Sequence, residues 1–151
     1  RKIEGRGAAR IDIAKQELAQ AVDNLDPGAL FNILTFSTGV ARWLKAGIGA
    51  NSESSRTDAK DWIGRLGASG GTNLYDSVRE ALRDQDVDTI FILSDGEPTT
   101  GEVIDPYRIR EDVVRWNKHR KVMIHTIAIG GNLEILQWLA EDAGGKYRQM
   151  R

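Results

Sequence analysis

The sequence predicts an α/β fold in which helices cover both faces of a mostly parallel β-sheet. Three apolar runs, at residues 30–36, 89–93 and 122–130, are almost continuously apolar and rich in β-branched or aromatic residues. Strands that are covered on both faces have this composition, because neither face can carry solvated side chains. Helical patterns alternate with the runs, which predicts right-handed β-α-β crossovers. The expected architecture is therefore a three-layer α/β/α sandwich with a doubly wound sheet.

Composition limits the class of protein but not its function. The chain has 151 residues, a formal net charge of −1 and no Cys. This length fits one domain. The absence of Cys excludes disulfides and cysteine nucleophiles, and it is compatible with both reducing and oxidising compartments. A nucleic-acid binder would usually carry a basic excess, and no apolar stretch approaches the roughly 20 residues of a membrane span. We therefore expect neither nucleic acid as a partner nor a membrane span.

The first two elements are a helix and a strand. The helix runs from about Ala8 to Leu25 and ends at Asp26-Pro27-Gly28, and the strand at residues 30–36 follows. A weaker run from Val40 to Leu44 comes after Ser37-Thr38-Gly39 and predicts an antiparallel edge strand. The apolar residues of the helix recur at three- and four-residue steps, at Ile11, Ala14, Leu18, Ala21, Val22 and Leu25.

Two helical patterns precede the second strong strand. The first runs from Ala59 to Leu66, and the second is short, from Leu74 to Leu82. The strand at residues 89–93 comes next. A glycine-rich loop from Gly67 to Asn73 joins the two helices.

The C-terminal third predicts two more helices and two more strands. Pro106 opens a helix that precedes the strand at residues 122–130. Asn132 is the candidate N-cap of the last helix, which Gly144-Gly145 ends. Residues 146–150 are expected to form a short final strand.

In open α/β sheets, ligands bind beyond the carboxyl ends of the strands, and Asp95 lies at such a position. It follows four apolar residues and Ser94, and Gly96 allows a sharp exit. A carboxylate there is either exposed or committed to a partner, because burying it alone is costly. The pair Asp95-Gly96 also fits a simple turn, so both interpretations stay open.

The loop from Gly67 to Asn73 is the second candidate. It runs into a helix, whose N-terminal amides could cradle an anion. It lacks the lysine of a phosphate-binding loop, and it does not fit the dinucleotide fingerprint. Plain capping is favoured, with Thr72 or Asn73 as N-cap and Asp76 in the first turn.

Taken together, the two loops supply a hydroxyl from Thr72 and a carboxylate from Asp95. Both are oxygen ligands of the kind that hard cations such as Mg²⁺ prefer. Two protein oxygens are too few for octahedral coordination, so water, further carboxylates or a ligand oxygen must complete the shell.

The chain resembles a von Willebrand factor type A (vWA) domain, a Rossmann-like fold. The resemblance rests on Gly70-Gly71-Thr72-Asn73, on residues 90–99 (IFILSDGEPT) and on Gly144-Gly145-Lys146-Tyr147. In that family, three loops form a metal-ion-dependent adhesion site (MIDAS). The resemblance implies that Thr72 and Asp95 serve the metal, Thr72 directly in the ligand-engaged state and Asp95 mostly through water. A carboxylate of a partner protein would complete the shell.

The sequence departs from the family at its first loop. The motif D-x-S-x-S, which should close a first central strand, occurs nowhere in the chain, and the chain opens on a helix. We therefore expect residues 1–151 to form a single vWA-like domain that is incomplete at its N-terminus. The neighbours of the absent strand would then lie about 10 Å apart, twice the usual spacing. A divalent cation (Mg²⁺, or Mn²⁺ or Ca²⁺) should bind weakly or not at all without the first loop.

The resulting functional prediction is a protein-interaction domain without catalytic activity of its own. Its partner would present an acidic side chain to a cation held in part by Thr72 and Asp95. Two alternatives stay open at this point. One is a phosphate- or nucleotide-handling enzyme that uses the loop from Gly67 to Asn73, and the other is a purely structural module.

Overall fold

The computed structural model of the chain describes residues 13, 14, 16–18, 20, 21, 30–36 and 72–150. Several predicted features lie outside these residues. They are the antiparallel edge strand from Val40 to Leu44, the helix from Ala59 to Leu66, and the first part of the glycine-rich loop, from Gly67 to Gly71.

The described strands form one parallel sheet. Strands β1 (Phe31–Phe36), β2 (Thr89–Ser94), β3 (Met123–Ile129) and β4 (Tyr147–Met150) lie side by side in sequence order. All three neighbouring pairs are parallel. The three strong strands and the short final strand are thereby confirmed, each with ends within about one residue of the prediction.

Strand β1 pairs directly with β2 along its whole length. The register runs from Phe31 opposite Thr89 to Phe36 opposite Ser94. The prediction that the neighbours of the absent strand would face a gap of about 10 Å was therefore wrong. Two facing strand edges in a buried sheet would leave N–H and C=O groups without partners, and direct pairing satisfies them.

Three helices cover one face of this sheet: α1 (Leu74–Arg83), α2 (Pro106–Asn117) and α3 (Glu134–Asp142). They lie on the same side because each crossover is right-handed and the strands step in one direction. Among the described residues, no helix is both long and apolar enough to cross a membrane.

The opposite face is covered by the N-terminal helical residues, which include Ala14 and Leu18. Side chains of β2 alternate between the two layers, with Ile90 and Ile92 toward the three helices and Phe91 toward the N-terminal residues. The strand is buried at every position. Two-sided burial confirms the predicted three-layer α/β/α arrangement and explains why the strand sequence is continuously apolar.

The last helix ends as predicted but begins differently. Leu133 is the N-cap of α3 and makes no side-chain cap. The prediction of Asn132 as N-cap was wrong, because its side-chain oxygen instead accepts a hydrogen bond from the Tyr147 hydroxyl at 2.7 Å. That hydroxyl also accepts from the Leu133 N–H at 3.0 Å, so tertiary contact replaces the local cap.

At the other end of α3, Gly144 adopts a φ of 76°, a left-handed conformation that glycine favours. The Gly145 N–H then donates to the carbonyl of Ala140 at 2.8 Å, and the Gly144 N–H to that of Glu141 at 3.3 Å. These two bonds form a Schellman motif. A side chain at Gly145 would collide with the Ile124 carbonyl oxygen, so both glycines are needed where the helix meets the sheet.

A buried carboxylate ties α1 to α2. Asp112 accepts hydrogen bonds from the Tyr75 hydroxyl at 2.6 Å and from Arg108 at 3.2 Å, and it forms an ion pair with Arg115 at 2.9 Å. Only 2% of Asp112 is exposed. The Tyr75 hydrogen bond, with help from the two arginines, lowers the pKa of Asp112 below its usual value. The same bond raises the pKa of Tyr75. The carboxylate is thus held in its charged form.

We predict that Asp112→Ala lowers the free energy of unfolding by about 1–3 kcal/mol, because it leaves the Tyr75 hydroxyl without its acceptor. Urea denaturation monitored by circular dichroism measures the change. The matched control is Glu111→Ala on the exposed side of the same helix, which should change stability by less than about 0.5 kcal/mol. Equal effects of the two substitutions would contradict a structural role for Asp112.

His125 lies in β3 as a packed and paired residue. Its ring stacks on Phe91 at 5.3 Å, and its Nδ1 accepts a hydrogen bond from the Lys146 N–H at 3.1 Å. Half-burial, together with the charge of Lys146, lowers the pKa of His125 below 6.5. The neutral ring is therefore the form that the fold stabilises.

Because the folded-state pKa of His125 is lowered, the unfolded chain binds more protons between that pKa and 6.5. We predict that its contribution to stability is complete above about pH 6.5 and decreases as the pH falls below it. His125→Asn keeps an acceptor for Lys146 but cannot titrate. Denaturation at pH 5.0 and pH 7.5 should show a smaller pH difference for this variant than for the wild-type chain, and an identical difference would disprove the assignment.

Candidate functional site

Thr72 and Asn73 form the entry to α1. Asn73 is the N-cap, and its side-chain oxygen accepts a hydrogen bond from the Asp76 N–H at 3.1 Å. Its side-chain amide donates to the Asp76 carboxylate at 3.0 Å. The predicted capping pair is confirmed, with Asn73 as the cap, and Thr72 is the residue immediately before it.

Asp95 lies where β2 ends, as predicted. The preceding Ser94 is buried, and its hydroxyl donates to the Gly96 carbonyl at 2.8 Å while accepting from the Gly96 N–H at 3.2 Å. This small turn directs the chain away from the sheet at Asp95, whose side chain is exposed. No hydrogen bond or ion pair to the Asp95 carboxylate occurs within the described part of the chain.

The β2–α2 loop (residues 95–105) returns to Thr72. The Thr72 N–H donates to the Thr99 hydroxyl at 2.9 Å. In the other direction, the Thr72 carbonyl accepts from the Thr99 N–H at 2.9 Å and from the Thr100 N–H at 3.1 Å. Both backbone polar groups of Thr72 are thereby bonded to the loop that Asp95 begins.

Further along the loop, Gly101 approaches the N-cap of α1. Its φ of 111° is one that L residues rarely adopt, and a Cβ there would overlap the Asn73 side chain. The following Glu102 N–H donates to the Asp76 carboxylate at 3.3 Å, and the Glu102 side chain accepts from Arg79 at 3.1 Å. Contacts on both sides of Gly101 thus hold the loop against the first turn of α1.

Among the described residues, none makes a hydrogen bond to the side-chain oxygens of Thr72 and Asp95. Thr72 is only 7% exposed, yet its hydroxyl makes no hydrogen bond to any described residue. A hydroxyl and a carboxylate fit a hard divalent cation chemically. The described residues contain no group of three or more His, Asp or Glu side chains that could hold a metal, so other oxygens would have to complete the shell.

The sequence pointed to Thr72 and Asp95 but not to the residues that connect them. Thr99 was visible only as part of the family motif, and Gly101 was not singled out at all. A usable signal existed for Gly101, because a glycine soon after a Pro-Thr-Thr stretch often marks a special backbone conformation. Its close contact with Asn73, 28 residues earlier in the chain, is visible only in three dimensions.

We predict that Gly101→Ala loosens the β2–α2 loop from α1. The added methyl group would collide with the Asn73 side chain, and alanine at this positive φ would strain the backbone. Amide hydrogen exchange at Thr72, Thr99 and Thr100 should become faster by about 5-fold or more. The matched control is Gly96→Ala in the same loop, where the added carbon meets no atom within 4 Å. Equal exchange in the two variants would show that the Gly101 contact is not important for the loop.

Comparison with known proteins gives the family. The model of the von Willebrand factor type A domain matches residues 5–149. Inter-alpha-trypsin inhibitor heavy chain H4 of Homo sapiens is 28% identical across 93% of this chain, which spans 16% of that relative. Von Willebrand factor A domain-containing protein 3A of Homo sapiens is 26% identical across 78% of this chain, which spans 10% of its length.

A third relative is inter-alpha-trypsin inhibitor heavy chain H2 of Mesocricetus auratus, which is 26% identical across 75% of this chain. In each case the chain spans only a small part of the curated relative. The family match covers nearly the whole chain and agrees with the parallel sheet and its flanking helices. The chain belongs to the von Willebrand factor type A domain family.

Proposed function

We propose that this chain is a protein-interaction domain that captures a carboxylate of a partner protein through a divalent cation at the carboxyl edge of its sheet. Thr72 and Asp95 each provide one oxygen to that cation. The observation that carries the proposal is that the β2–α2 loop holds the Thr72 backbone, while the side-chain oxygens of Thr72 and Asp95 make no hydrogen bond to any described residue. Interaction is also what domains of this family generally mediate.

The two residues suit different parts of the task. The exposed Asp95 carboxylate supplies negative charge, which can act on the cation directly or through a bound water. Thr72 supplies a neutral hydroxyl from a largely buried position, where its location is fixed. When bound, the cation would be the largest local charge, and it would make contact with a single partner carboxylate strong and directional. Oxygens from water or from a first loop of the D-x-S-x-S type would complete the shell.

Two protein oxygens account for weak binding at most, because Mg²⁺ requires near-octahedral coordination. The partner's carboxylate is therefore part of the coordination shell and not an addition to a complete site. Metal and partner should stabilise each other's binding, since each supplies what the other lacks. Chelation of the cation should then release the partner.

We propose no catalytic activity for the domain. The relatives are proteins of the vWA class, and the oxygens of Thr72 and Asp95 are suited to holding a ligand.

The phosphate-binding alternative gains no support at the start of α1. There the Asp76 N–H donates to Asn73, and Asp76 itself places a negative charge in the first turn. An anion at this position would lose an amide donor and face a carboxylate.

The test of the proposal is titration calorimetry with Mn²⁺ on the natural protein at its full length. We expect that Thr72→Ala and Asp95→Ala each weaken Mn²⁺ binding by about 10-fold or more, because each removes an oxygen ligand. The matched control is Thr100→Ala, which leaves the backbone hydrogen bond from residue 100 to Thr72 in place and should bind like the wild type.

A second arm measures binding of the protein's natural partner with and without EDTA. Loss of binding in EDTA agrees with the proposal. Absence of Mn²⁺ binding, or Mn²⁺ binding that Thr72→Ala and Asp95→Ala leave unchanged, would refute the site. Partner binding that persists in EDTA would favour a purely structural or metal-independent module.

A further inference from the structure

We infer that Thr99 is a positioning residue that fixes Thr72 relative to Asp95, so that the two proposed ligands move as one unit. This inference rests on the proposed function, which it deepens by naming the residue that controls the geometry of the site. Thr99 itself is not assigned as a ligand in this scheme, and its hydroxyl accepts a hydrogen bond from the Thr72 N–H.

Thr72 and Thr99 are joined by hydrogen bonds in both directions. The hydroxyl of Thr99 accepts from the Thr72 N–H, and the N–H of Thr99 donates to the Thr72 carbonyl, both at 2.9 Å. A pair of bonds in opposite directions fixes both the distance and the rotation of one residue relative to the other. The position of Thr72 is therefore set by the β2–α2 loop as well as by the helix that it precedes.

The path along the chain from Thr99 to Asp95 is short. Thr99 is four residues after Asp95 in the same loop, and Pro98 between them is buried and restricts the backbone. Along the chain, by contrast, Thr72 is separated from Asp95 by the whole of α1 and β2. Among the described residues, the hydrogen bonds to Thr99 thus connect Thr72 to the loop that Asp95 begins.

Only one of these bonds to Thr72 depends on a side chain, namely the bond to the Thr99 hydroxyl. Thr100 also reaches the Thr72 carbonyl, at 3.1 Å, but through its backbone N–H. Any residue at position 100 other than proline could make that bond, whereas position 99 requires a hydroxyl. Without it, the N–H of a residue that is 7% exposed would lose its partner.

The consequence is a site that is organised before the cation arrives. Ligands that are already held in place lose less conformational freedom on binding, which increases affinity without a new contact. Affinity for the cation should therefore depend on Thr99, and the loss should accompany greater mobility of Thr72 in the metal-free protein.

The experiment compares Thr99→Val, which has a similar shape but no hydroxyl, with Thr99→Ser, which keeps the hydroxyl. Thr100→Val is the matched control, since it retains the backbone bond to Thr72. Two quantities are measured on each protein: the exchange rate of the Thr72 amide hydrogen by NMR without metal, and the dissociation constant for Mn²⁺.

We expect Thr99→Val to accelerate Thr72 amide exchange by about 5-fold and to weaken Mn²⁺ binding by about 5-fold, as for the loss of one hydrogen bond. In Thr99→Ser and Thr100→Val, the exchange rate and the Mn²⁺ dissociation constant should both stay within about 2-fold of the wild-type values. This change is smaller than the one expected for the loss of a hydrogen bond. The rescue by serine separates the effect of the hydroxyl from that of a general disturbance of the loop.

The inference is overturned if the Thr72 amide hydrogen exchanges at the same rate in Thr99→Val as in the wild type. It is also overturned if exchange accelerates while Mn²⁺ affinity stays the same, because Thr99 would then be structural only. A wild-type protein that binds no Mn²⁺ would instead refute the proposed function, while the exchange rates would still show whether Thr99 holds Thr72.

Discussion

Burial of the parallel sheet on both faces is the constraint on which the rest of the structure depends. Strand β2 is buried at all six positions, with its side chains alternating between the layer of α1–α3 and the N-terminal helical residues. A strand in this position cannot carry a charged side chain without a partner. The first place where the chain can present a carboxylate is the point where the strand leaves the two layers, and that residue is Asp95. The location of the proposed site is therefore a consequence of the way in which the core is built.

The same edge must also organise residues that are far apart in sequence. The β2–α2 loop does so by bonding to both backbone groups of Thr72, and Gly101 and Glu102 extend the contact along the first turn of α1. Apolar packing alone would not specify this geometry, because it has little directional preference. Hydrogen bonds are directional, and because breaking them in a buried position costs free energy, they favour one arrangement of the loop. Hydrogen bonds thus set the position of Thr72, while apolar packing of the sheet supports the elements that carry them.

Local patterns predicted the elements well because each depends on nearby residues. Continuous apolar runs identified β1, β2 and β3, and Asn73 with Asp76, and Gly144 with Gly145, identified helix ends. Prediction failed where a distant group competes with a local one. Asn132 has the chemistry of an N-cap but is bonded to Tyr147, and β1 pairs with β2 where a gap was expected. The edge strand from Val40 to Leu44 stays a prediction, and so do the roles of Thr72 and Asp95 toward a cation.

The sequence by itself determined the α/β class, the parallel sheet, the family and the two residues with suitable oxygens. These properties follow from periodicity and from short motifs, which act over a few residues. Only the tertiary structure decided how Thr72 is bonded to the loop that Asp95 begins. The bonds from Thr72 to Thr99, and the contact of Gly101 with Asn73, join positions 27 and 28 residues apart. The physical reason is that such hydrogen bonds depend on where the sheet and α1 place the two loops, and no local pattern encodes that placement.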